Sequence, residues 1–266
     1  LGDVYKRQLE MYTLQCRNHI LKPLAEKYGI DTSDEAIRAA VEQHNEVCRL
    51  IRAIGDFRKE ANPRVTGYEF HILTLVSYVA PKHLIVDKLR ETLEEIKTRE
   101  PDAADKYRAR VVFVGSEVDD VDVIRLVEES GAYVCADRFC YGSLPGRDEI
   151  LLNDDEDVVK QVCRQVQGRA QCPRYWDMAK MTGRRDYVAD LAKEYGADGI
   201  IYEQMKFCDP WAYERMIGTI VLRDEHGYPV LAVDRPYSIG SSGQMRTRVQ
   251  AFVESIEIKK IQGGKK

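Results

Sequence analysis

The sequence predicts an α/β protein in which a helical segment precedes a doubly wound parallel-sheet domain of the Rossmann or flavodoxin-like kind. Apolar residues recur at intervals of three and four through residues 9–109, which is the periodicity of amphipathic helices. Beyond residue 110, short runs rich in Val and Ile alternate with amphipathic stretches, a pattern typical of a parallel sheet with helices on both faces. With 266 residues, 44% of them hydrophobic, the chain is long enough to bury a large core.

The helical segment spans residues 9–109 and has one clear start signal. Thr32 and Glu35 have the spacing of a capping box, which predicts that a helix begins there. Cys48 lies in the apolar stripe of that helix and Cys16 in an earlier helical run, so we predict that both pack as small apolar side chains. The stripe comprises Ile37, Ala40, Val41, His44, Val47, Cys48, Ile51 and Ile54.

Two more helices are predicted before the sheet begins. Asn62-Pro63 interrupts the helical pattern, and the next helix runs from Gly67 through the 70s. A charged amphipathic helix then extends from Leu84 to Arg99 and ends before Pro101, and its charges are typical of a solvated face.

The predicted α/β domain, residues 110–260, contains four parallel strands. The run from Arg110 to Gly115 is apolar and β-branched, as expected of a strand that is buried on both faces. The other predicted strands are Ala132–Cys135, Gly199–Tyr202 and Val230–Val233, and the helices are Asp120–Ser130, Asp154–Gln167, Arg184–Tyr195, Pro210–Arg223 and Gly243–Ile258.

Composition and charge argue against several functional classes. The formal net charge is −4 without a basic stripe, which disfavours a nucleic-acid-binding protein. No apolar run approaches the roughly 18–20 residues that cross a bilayer, so we predict no membrane association. Seven cysteines, an odd number, favour reduced thiols and a cytoplasmic location over a disulfide framework.

The beginning of the chain predicts that it is part of a longer protein. It starts at Leu1 without an initiator Met, and the run Asp3–Gln8 resembles a translated sequencing-assembly scar. We therefore expect residues 1–8 to be non-native and the remainder to be the C-terminal part of a longer protein.

The loops after the predicted strands are the expected binding region, because ligands of doubly wound sheets bind at the carboxyl ends of the strands. These loops, at residues 116–120, 137–143, 205–210 and 234–244, are rich in polar, thiol and small side chains. The loop at 238–244 also offers the free amides of a helix start to an anion, which Arg246 and Arg248 could assist unless they simply lie on the surface. The predicted substrate-binding residues are Glu117, Cys140, Ser241, Ser242, Gly243 and Gln244.

Cys208 is the most specific candidate in these loops. Asp209 is predicted to cap the following helix and Pro210 to lie in its first turn. The sulfur of Cys208 would then lie near a helix N-terminus, which favours the thiolate that attacks substrates or binds metal. A buried thiol that merely precedes a helix is the alternative.

Several familiar chemistries lack their motifs. The sequence contains neither a P-loop for ATP, nor the G-x-S-x-G nucleophile elbow, nor a dinucleotide-binding G-x-G-x-x-G. None of the five histidines lies in the strand-end loops, which disfavours a Cys–His or Ser–His couple. A structural zinc site is also disfavoured, because Cys163 and Cys172 are too widely spaced to complement a pair formed by Cys135 and Cys140.

Seven segments together form a specific pattern through their order and spacing. They are Thr32–Glu60, Gly115–Asp120, Ala136–Ser143, Cys172-Pro173-Arg174, Gly196–Ile201, Lys206–Pro210 and Gly240–Phe252. In this pattern the chain, from about residue 20 to its end, resembles the 2-hydroxyacyl-CoA dehydratase family, which includes the benzoyl-CoA reductase subunits.

The resemblance implies an oxygen-sensitive enzyme formed by two related subunits, each holding a [4Fe–4S] cluster through three cysteines, with an open iron site in one subunit. An ATP-hydrolysing iron–sulfur activator would supply one low-potential electron, which explains why this chain needs no P-loop. The dehydratases form a ketyl radical on the CoA thioester and expel the 2-hydroxyl group, whereas the benzoyl-CoA branch reduces an aromatic ring. The implied partners are therefore a homologous second subunit, the activator and an acyl-CoA.

Of the three cluster cysteines, the resemblance places only the last in this chain, at Cys208 in Lys206-Phe207-Cys208-Asp209-Pro210. The other two belong to an N-terminal α/β domain expected upstream of residue 1. Cys140 and Cys172 match recurring positions but are not assigned as ligands. Two alternatives to a lyase or oxidoreductase subunit stay open: a non-catalytic electron-relay subunit, and a cluster-free redox protein that uses Cys208 as a reactive thiol.

Overall fold

The computed structural model describes residues 2–101, 106–143, 148–169, 172–174, 178–237 and 242–263. Within these ranges, the side chains of residues 2–6, Arg169, Ser242 and Gly263 are left out of the description. The predicted site residue Ser241 and the side chain of Ser242 therefore lie outside the described part of the chain.

The described elements follow the predicted order of helices and then alternating strands and helices. None of the described helices is long and apolar enough to cross a membrane. The elements are α1 Gly2–Cys16, a π-helical turn Arg17–Leu21, α2 Lys22–Tyr28, α3 Asp34–Asp56, a 3₁₀ turn Phe57–Lys59, α4 Gly67–Val79, α5 Lys82–Thr98, β1 Ala109–Val114, α6 Val121–Glu129, β2 Ala132–Arg138, α7 Val158–Arg169, α8 Met178–Glu194, β3 Gly199–Met205, α9 Asp209–Asp224, β4 Val230–Arg235 and α10 Ser242–Gly263.

The chain divides into two compact units that each combine segments distant in sequence. Unit 1 contains Leu1–Arg49 and Asp148–Ala170, and unit 2 contains Leu50–Arg147 and Gln171–Lys266. Helices from residues 9–109 thus contribute to both units, and the whole sheet belongs to unit 2.

In unit 1, α3 begins with a different cap from the one predicted. The hydroxyl of Ser33 accepts a hydrogen bond from the Ala36 amide at 3.2 Å, and the Ser33 amide donates to Asp31 Oδ1 at 2.9 Å. The predicted Thr32–Glu35 capping box is therefore wrong. The turn formed by Asp31 orients the backbone so that Ser33, one residue later, faces the free amides of the helix.

The apolar stripe of α3 is confirmed, because Val41, Val47 and Cys48 are buried. Its neighbour Asn45 is also buried, and its side chain forms two hydrogen bonds with the backbone of Ile150, at 2.9 Å to the carbonyl and 2.7 Å from the amide. A buried amide side chain needs such partners, so this pair fixes where the segment before α7 meets α3 within unit 1.

Unit 2 is built on a four-stranded, fully parallel sheet with the strand order β2-β1-β3-β4. The predicted doubly wound α/β fold is confirmed. Strands β2, β3 and β4 extend two or three residues further than predicted, because the polar residues at their carboxyl ends, among them Arg138, Glu203 and Arg235, are buried in the protein.

Alternate side chains of β1 pack into cores on opposite faces of the sheet. Val111 and Phe113 contact the core beneath α6 and α10, whereas Val112 and Val114 contact the core beneath α8 and α9. All four side chains are completely buried. This double coverage explains why β1 is a continuous apolar run without polar alternation.

The strand order places a topological switch point between β1 and β3. The chain leaves β1 for β2 on one side and later returns to β3 on the other side of β1. In sheets of this order the helices on either side diverge at the switch point, which opens a crevice outside the carboxyl ends of the two strands. The loops that follow Val114 and Met205 border this crevice.

Candidate functional site

The turn between β3 and α9 places Cys208 at the switch point. The Lys206 amide donates to the Arg235 carbonyl at 2.7 Å, and the Cys208 amide donates to the Met205 carbonyl at 3.1 Å. Cys208 is itself the N-cap residue of α9, and Asp209 is the first helical residue. The predicted cap at Asp209 is therefore wrong by one position, and the thiol lies closer to the helix end than expected.

Phe207, immediately before this thiol, has an unusual backbone conformation. Its φ of 71° lies in the left-handed region, and it is the one residue other than Gly with positive φ in the described part of the chain. Its ring is 97% exposed, so no packing of the side chain offsets the cost. The left-handed residue lets the chain leave β3 and turn directly into α9.

The environment of Cys208 raises the pKa of its thiol. Burial is the largest cause, and it outweighs the peptide N–H of Trp211, which lowers the pKa. The sequence predicted that the helix end favours the thiolate; in the structure that effect is present but smaller than the cost of burying the charge. A free Cys208 is therefore mainly a thiol near neutral pH, while a metal ion would deprotonate it.

A second thiol, Cys140, lies close to the same helix end. The indole N–H of Trp211 donates to the Cys140 sulfur at 3.2 Å, and the Cys140 amide donates to the Ser116 carbonyl at 3.1 Å. Burial raises the pKa of Cys140 to about 11, so this thiol stays protonated at neutral pH. Cys140 is thus tied by hydrogen bonds to both sides of the switch point.

Three of the predicted site residues are brought together here. After burial, Glu117 and Cys172 are among the neighbours that raise the pKa of both Cys140 and Cys208, so these four groups lie within electrostatic reach of one another. Arg174 acts on Cys208 in the opposite direction. The structure therefore joins Glu117, Cys140 and Cys208 and adds Cys172.

A buried ion pair holds the two loops of the switch point in place. Glu203 is fully buried and accepts hydrogen bonds from Arg235 Nε at 3.0 Å and from the Ser116 hydroxyl at 2.8 Å. The same hydroxyl accepts from the Met205 amide at 2.7 Å, and Arg235 donates to the Glu117 carbonyl at 2.6 Å. Because every polar partner is satisfied within the protein, this network positions the loops that bear Glu117 and Cys208.

A second buried pair supports the loop after β2. Asp137 accepts hydrogen bonds from the Ser143 amide at 2.7 Å and from Arg58 Nη1 at 3.2 Å. The guanidinium of Arg58 also stacks on the Phe70 ring, 3.6 Å from its centroid. These contacts fix both ends of the short loop that carries Cys140.

The other predicted binding residues lie at the start of α10. Gly243 and Gln244 are exposed in its first turn. Arg246 pairs with Glu129 at 2.9 Å, and Arg248 donates to the Ala232 carbonyl at 2.6 Å. The two arginines are therefore engaged in contacts within the protein, which accounts for their presence without an anionic ligand.

The described residues do not form a complete metal site. Among them, no three His, Cys, Asp or Glu side chains lie close enough together to bind one metal ion. Cys208, half-buried at a helix end and next to the crevice, fits as one thiolate ligand. A [4Fe–4S] cluster at this position would need ligands besides those described.

A family model described as 2-hydroxyglutaryl-CoA dehydratase, D-component, matches residues 4–256 of this chain. The chain belongs to this family. The segment that contains the switch point and Cys208 lies inside the matched range.

Curated relatives carry dehydratase and reductase names. The chain is 26% identical to the (R)-phenyllactyl-CoA dehydratase beta subunit of Clostridium sporogenes, over 86% of this chain and 59% of the relative. It is 24% identical to the beta subunit of (R)-2-hydroxyglutaryl-CoA dehydratase from Acidaminococcus fermentans, over 93% and 64%. It is 22% identical to a benzoyl-CoA reductase subunit from Thauera aromatica, over 91% and 62%. The chain thus spans about three fifths of the length of these relatives.

Two features of the site had only weak signals in the sequence. Glu203 interrupts an apolar strand, and a charged residue at such a position signals a buried pair without identifying its partner. His71 of α4 packs edge-on against Phe139 with 5.7 Å between ring centroids. His71 therefore does approach the loop after β2, but it comes from α4, which is not one of the strand-end loops that the sequence analysis searched for histidines.

Proposed function

We propose that this chain forms part of one subunit of an oxygen-sensitive iron–sulfur enzyme that acts on acyl-CoA thioesters. The observation that carries the proposal is the position of Cys208, which lies at the switch point of a sheet whose sequence matches the D-component family. A half-buried thiol at a helix end is a suitable cluster ligand, since thiolates bind iron and a low-dielectric site sets the potential. When bound, a [4Fe–4S] cluster supplies a single low-potential electron.

The residues around Cys208 would hold the cysteine and its loops in place and would not take part in the reaction themselves. The Glu203–Arg235 pair holds the loops on both sides of the crevice, and the left-handed turn at Phe207 connects β3 directly to α9, whose N-cap residue is Cys208. Trp211 supports Cys140 through its indole N–H. Such hydrogen-bonded thiols near a cluster tune its potential, a role in which Cys140 needs no bond to iron.

The proposed partners are a homologous second subunit, an ATP-dependent iron–sulfur activator and an acyl-CoA. The names of the relatives, which describe beta and D-component chains, support a second subunit. The reaction is either loss of water from a 2-hydroxyacyl-CoA or reduction of an aromatic ring, because relatives of both kinds match to a similar extent. No observation favours a cluster-free redox role over these.

The test is turnover by the product of the complete open reading frame that contains this chain, expressed anaerobically with its neighbouring subunit and activator. We expect ATP-dependent conversion of an (R)-2-hydroxyacyl-CoA to the enoyl-CoA, or of benzoyl-CoA to a ring-reduced product, detected by mass spectrometry. Cys208→Ser should abolish the reaction, whereas Cys16→Ser, a half-buried cysteine of unit 1, should retain it.

Absence of both products with a full complement of subunits would contradict the proposed function. Turnover that persists in Cys208→Ser would contradict the role of that cysteine. An acyl-CoA that leaves the electronic spectrum of this subunit unchanged, while the complex turns over, would identify the chain as an electron-relay subunit.

A further inference from the structure

A cavity of about 540 Å³ opens between α8 and α9 beside the Cys208 turn. Among the described residues, Met181 of α8 and Pro210, Tyr213 and Ile217 of α9 form its apolar wall. Pro210 follows Cys208 by two residues, so the cavity and the thiol share one helix end. Small-molecule sites usually measure about 300–1,000 Å³, and this cavity is large enough to bind a ligand of that class.

Four charged residues are among those that line the cavity: Arg174, Arg184, Asp209 and Glu214. Arg174 lines the cavity and its charge acts on the Cys208 thiol, so it marks the Cys208 end. Glu214, only 4% exposed, accepts hydrogen bonds from Arg184 at 3.1 Å and from Arg185 at 3.0 Å. This carboxylate is therefore held by two guanidinium groups at the side of the cavity.

The apolar side chains of the cavity extend along α9 away from Cys208, beside the paired Arg184 and Glu214. Ile217 lies two turns beyond Asp209 on α9, roughly 12 Å along the helix axis at 1.5 Å per residue. Met181 faces the same space from α8. A ligand whose reacting end lies near Cys208 would therefore extend its tail toward Met181 and Ile217.

We infer that this cavity binds the acyl chain of the substrate and selects one that ends in an apolar group, branched or aromatic. The identity of the ligand as an acyl thioester rests on the proposed function; its apolar character rests on the cavity. An apolar tail gains from contact with Met181, Tyr213 and Ile217. A dicarboxylic acyl group would bury its second carboxylate against the same apolar side chains, where Arg184 and Arg185 are already paired with Glu214.

The test is a binding titration on the full chain labelled with ¹³C at the methyl groups of Met and Ile. The probes are N-acetylcysteamine thioesters of 4-methylpentanoic, 3-phenylpropanoic and glutaric acid, which share one thioester arm and differ only at the acyl end. We expect the first two to shift the Met181 and Ile217 signals, and glutaryl to bind at least tenfold more weakly.

Two variants make the assignment specific to the cavity. Ile217→Trp fills it and should weaken binding of the apolar probes at least tenfold, whereas Ile220→Trp, at a position that is 50% exposed on the same helix, should leave it unchanged. Tyr213→Ala is a second variant with little risk to folding, because Tyr213 is 69% exposed; it should weaken the phenyl probe at least threefold.

Equal binding of the glutaryl probe, no shift at Met181 and Ile217, or unchanged binding by a folded Ile217→Trp protein would overturn the inference. The titration needs no cluster and no turnover. A negative titration would therefore contradict the assignment of the cavity and not the proposed function. Lack of activity in the complete enzyme would contradict the proposed function and not a positive titration.

Discussion

At the scale of single residues, the site depends on two positions where the backbone itself is constrained. A Cβ at Gly115 would lie 2.5 Å from both the carbonyl and the carboxylate oxygen of Glu203, so only glycine fits between β1 and β3 there. Phe207 has the opposite problem, because a large residue occupies a left-handed conformation that favours glycine. Gly115 thus allows β1 and β3 to approach closely, whereas Phe207 occurs in spite of the free-energy cost of its backbone conformation.

Gly115→Ala should lower the free energy of unfolding by roughly 1–3 kcal/mol, because backbone atoms of β3 must shift to admit the methyl group. Gly183→Ala is the matched control. Gly183 is an exposed position inside α8 with open space around it, so alanine there should raise stability by about 0.5–1 kcal/mol. Urea unfolding measures both; equal effects would contradict the close approach at Gly115.

Phe207→Gly should stabilise the isolated chain by about 0.5–1 kcal/mol, because it relieves the left-handed strain without loss of packing from a ring that is 97% exposed. Phe207→Ala is the control that removes the ring and keeps the strain, and it should leave stability nearly unchanged. Thermal unfolding distinguishes them. A glycine variant no more stable than the alanine variant would show that the turn is unstrained.

The sequence revealed only part of this residue-level picture. Cys208 was recognisable, because a thiol beside Asp-Pro at a predicted helix start has a definite location. The left-handed turn at Phe207 was not recognisable, since phenylalanine rarely adopts a positive φ and its presence does not predict one. The hydrogen bond from the Lys206 amide to the Arg235 carbonyl helps to impose that conformation, and it depends on β4, a strand that is distant in sequence.

At the scale of elements, the N-terminus of α4 shows how one helix is anchored to another within unit 2. Thr66 and Glu69 form a reciprocal capping box at its start. Glu128 of α6 accepts hydrogen bonds from the Gly67 amide at 2.8 Å and from the Tyr68 amide at 3.1 Å, so it satisfies two further free amides. Burial nevertheless raises the pKa of Glu128 to about 7.

This shift predicts a pH dependence of stability with a definite sign. Folded Glu128 holds its proton more tightly than the unfolded chain, where its pKa is near 4.5, so its contribution is fully present below pH 4.5 and is lost as the pH rises to about 7. The difference in unfolding free energy between wild type and Glu128→Gln should fall by about 3 kcal/mol across this window. Chemical unfolding at several pH values measures the difference; a constant value would contradict the raised pKa.

The elements themselves were largely predictable. All four strands were located from apolar runs, because a strand covered on both faces leaves a continuous Val- and Ile-rich signature. The missed details were the ends: Ser33 caps α3 in place of Thr32, and the strands extend into polar residues. At α3 the turn formed by Asp31 decides which residue caps the helix, and in the strands buried ion pairs decide where the strand ends. Neither partner is visible in the local sequence pattern.

At the scale of the whole molecule, the two compact units differ in how much they bury. Unit 2 contains both apolar cores and the complete sheet, whereas α2 in unit 1 has no buried residue. The sequence order could not show that α7, from the second half of the chain, packs against α1 in unit 1. Such a pairing depends on tertiary complementarity between surfaces far apart in sequence.

Hydrogen exchange should report this difference. We expect the amides of α2, Lys22–Tyr28, to exchange at least about a thousandfold faster than those of β1, because local opening of α2 exposes little apolar surface. Peptide-resolved mass spectrometry gives both rates. Protection of α2 equal to that of β1 would show that the two units unfold as one.

The central claim is that Cys208 at the switch point is a ligand of an iron–sulfur cluster. The direct measurement is iron and acid-labile sulfide in the anaerobically purified product of the complete reading frame, for wild type, Cys208→Ser, Cys172→Ser and Cys16→Ser. We expect about four irons and four sulfides per chain in the wild type and in the last two variants, with loss or conversion of the cluster in Cys208→Ser. Iron-free wild-type protein with an intact fold, or an unchanged cluster in Cys208→Ser, would contradict the claim.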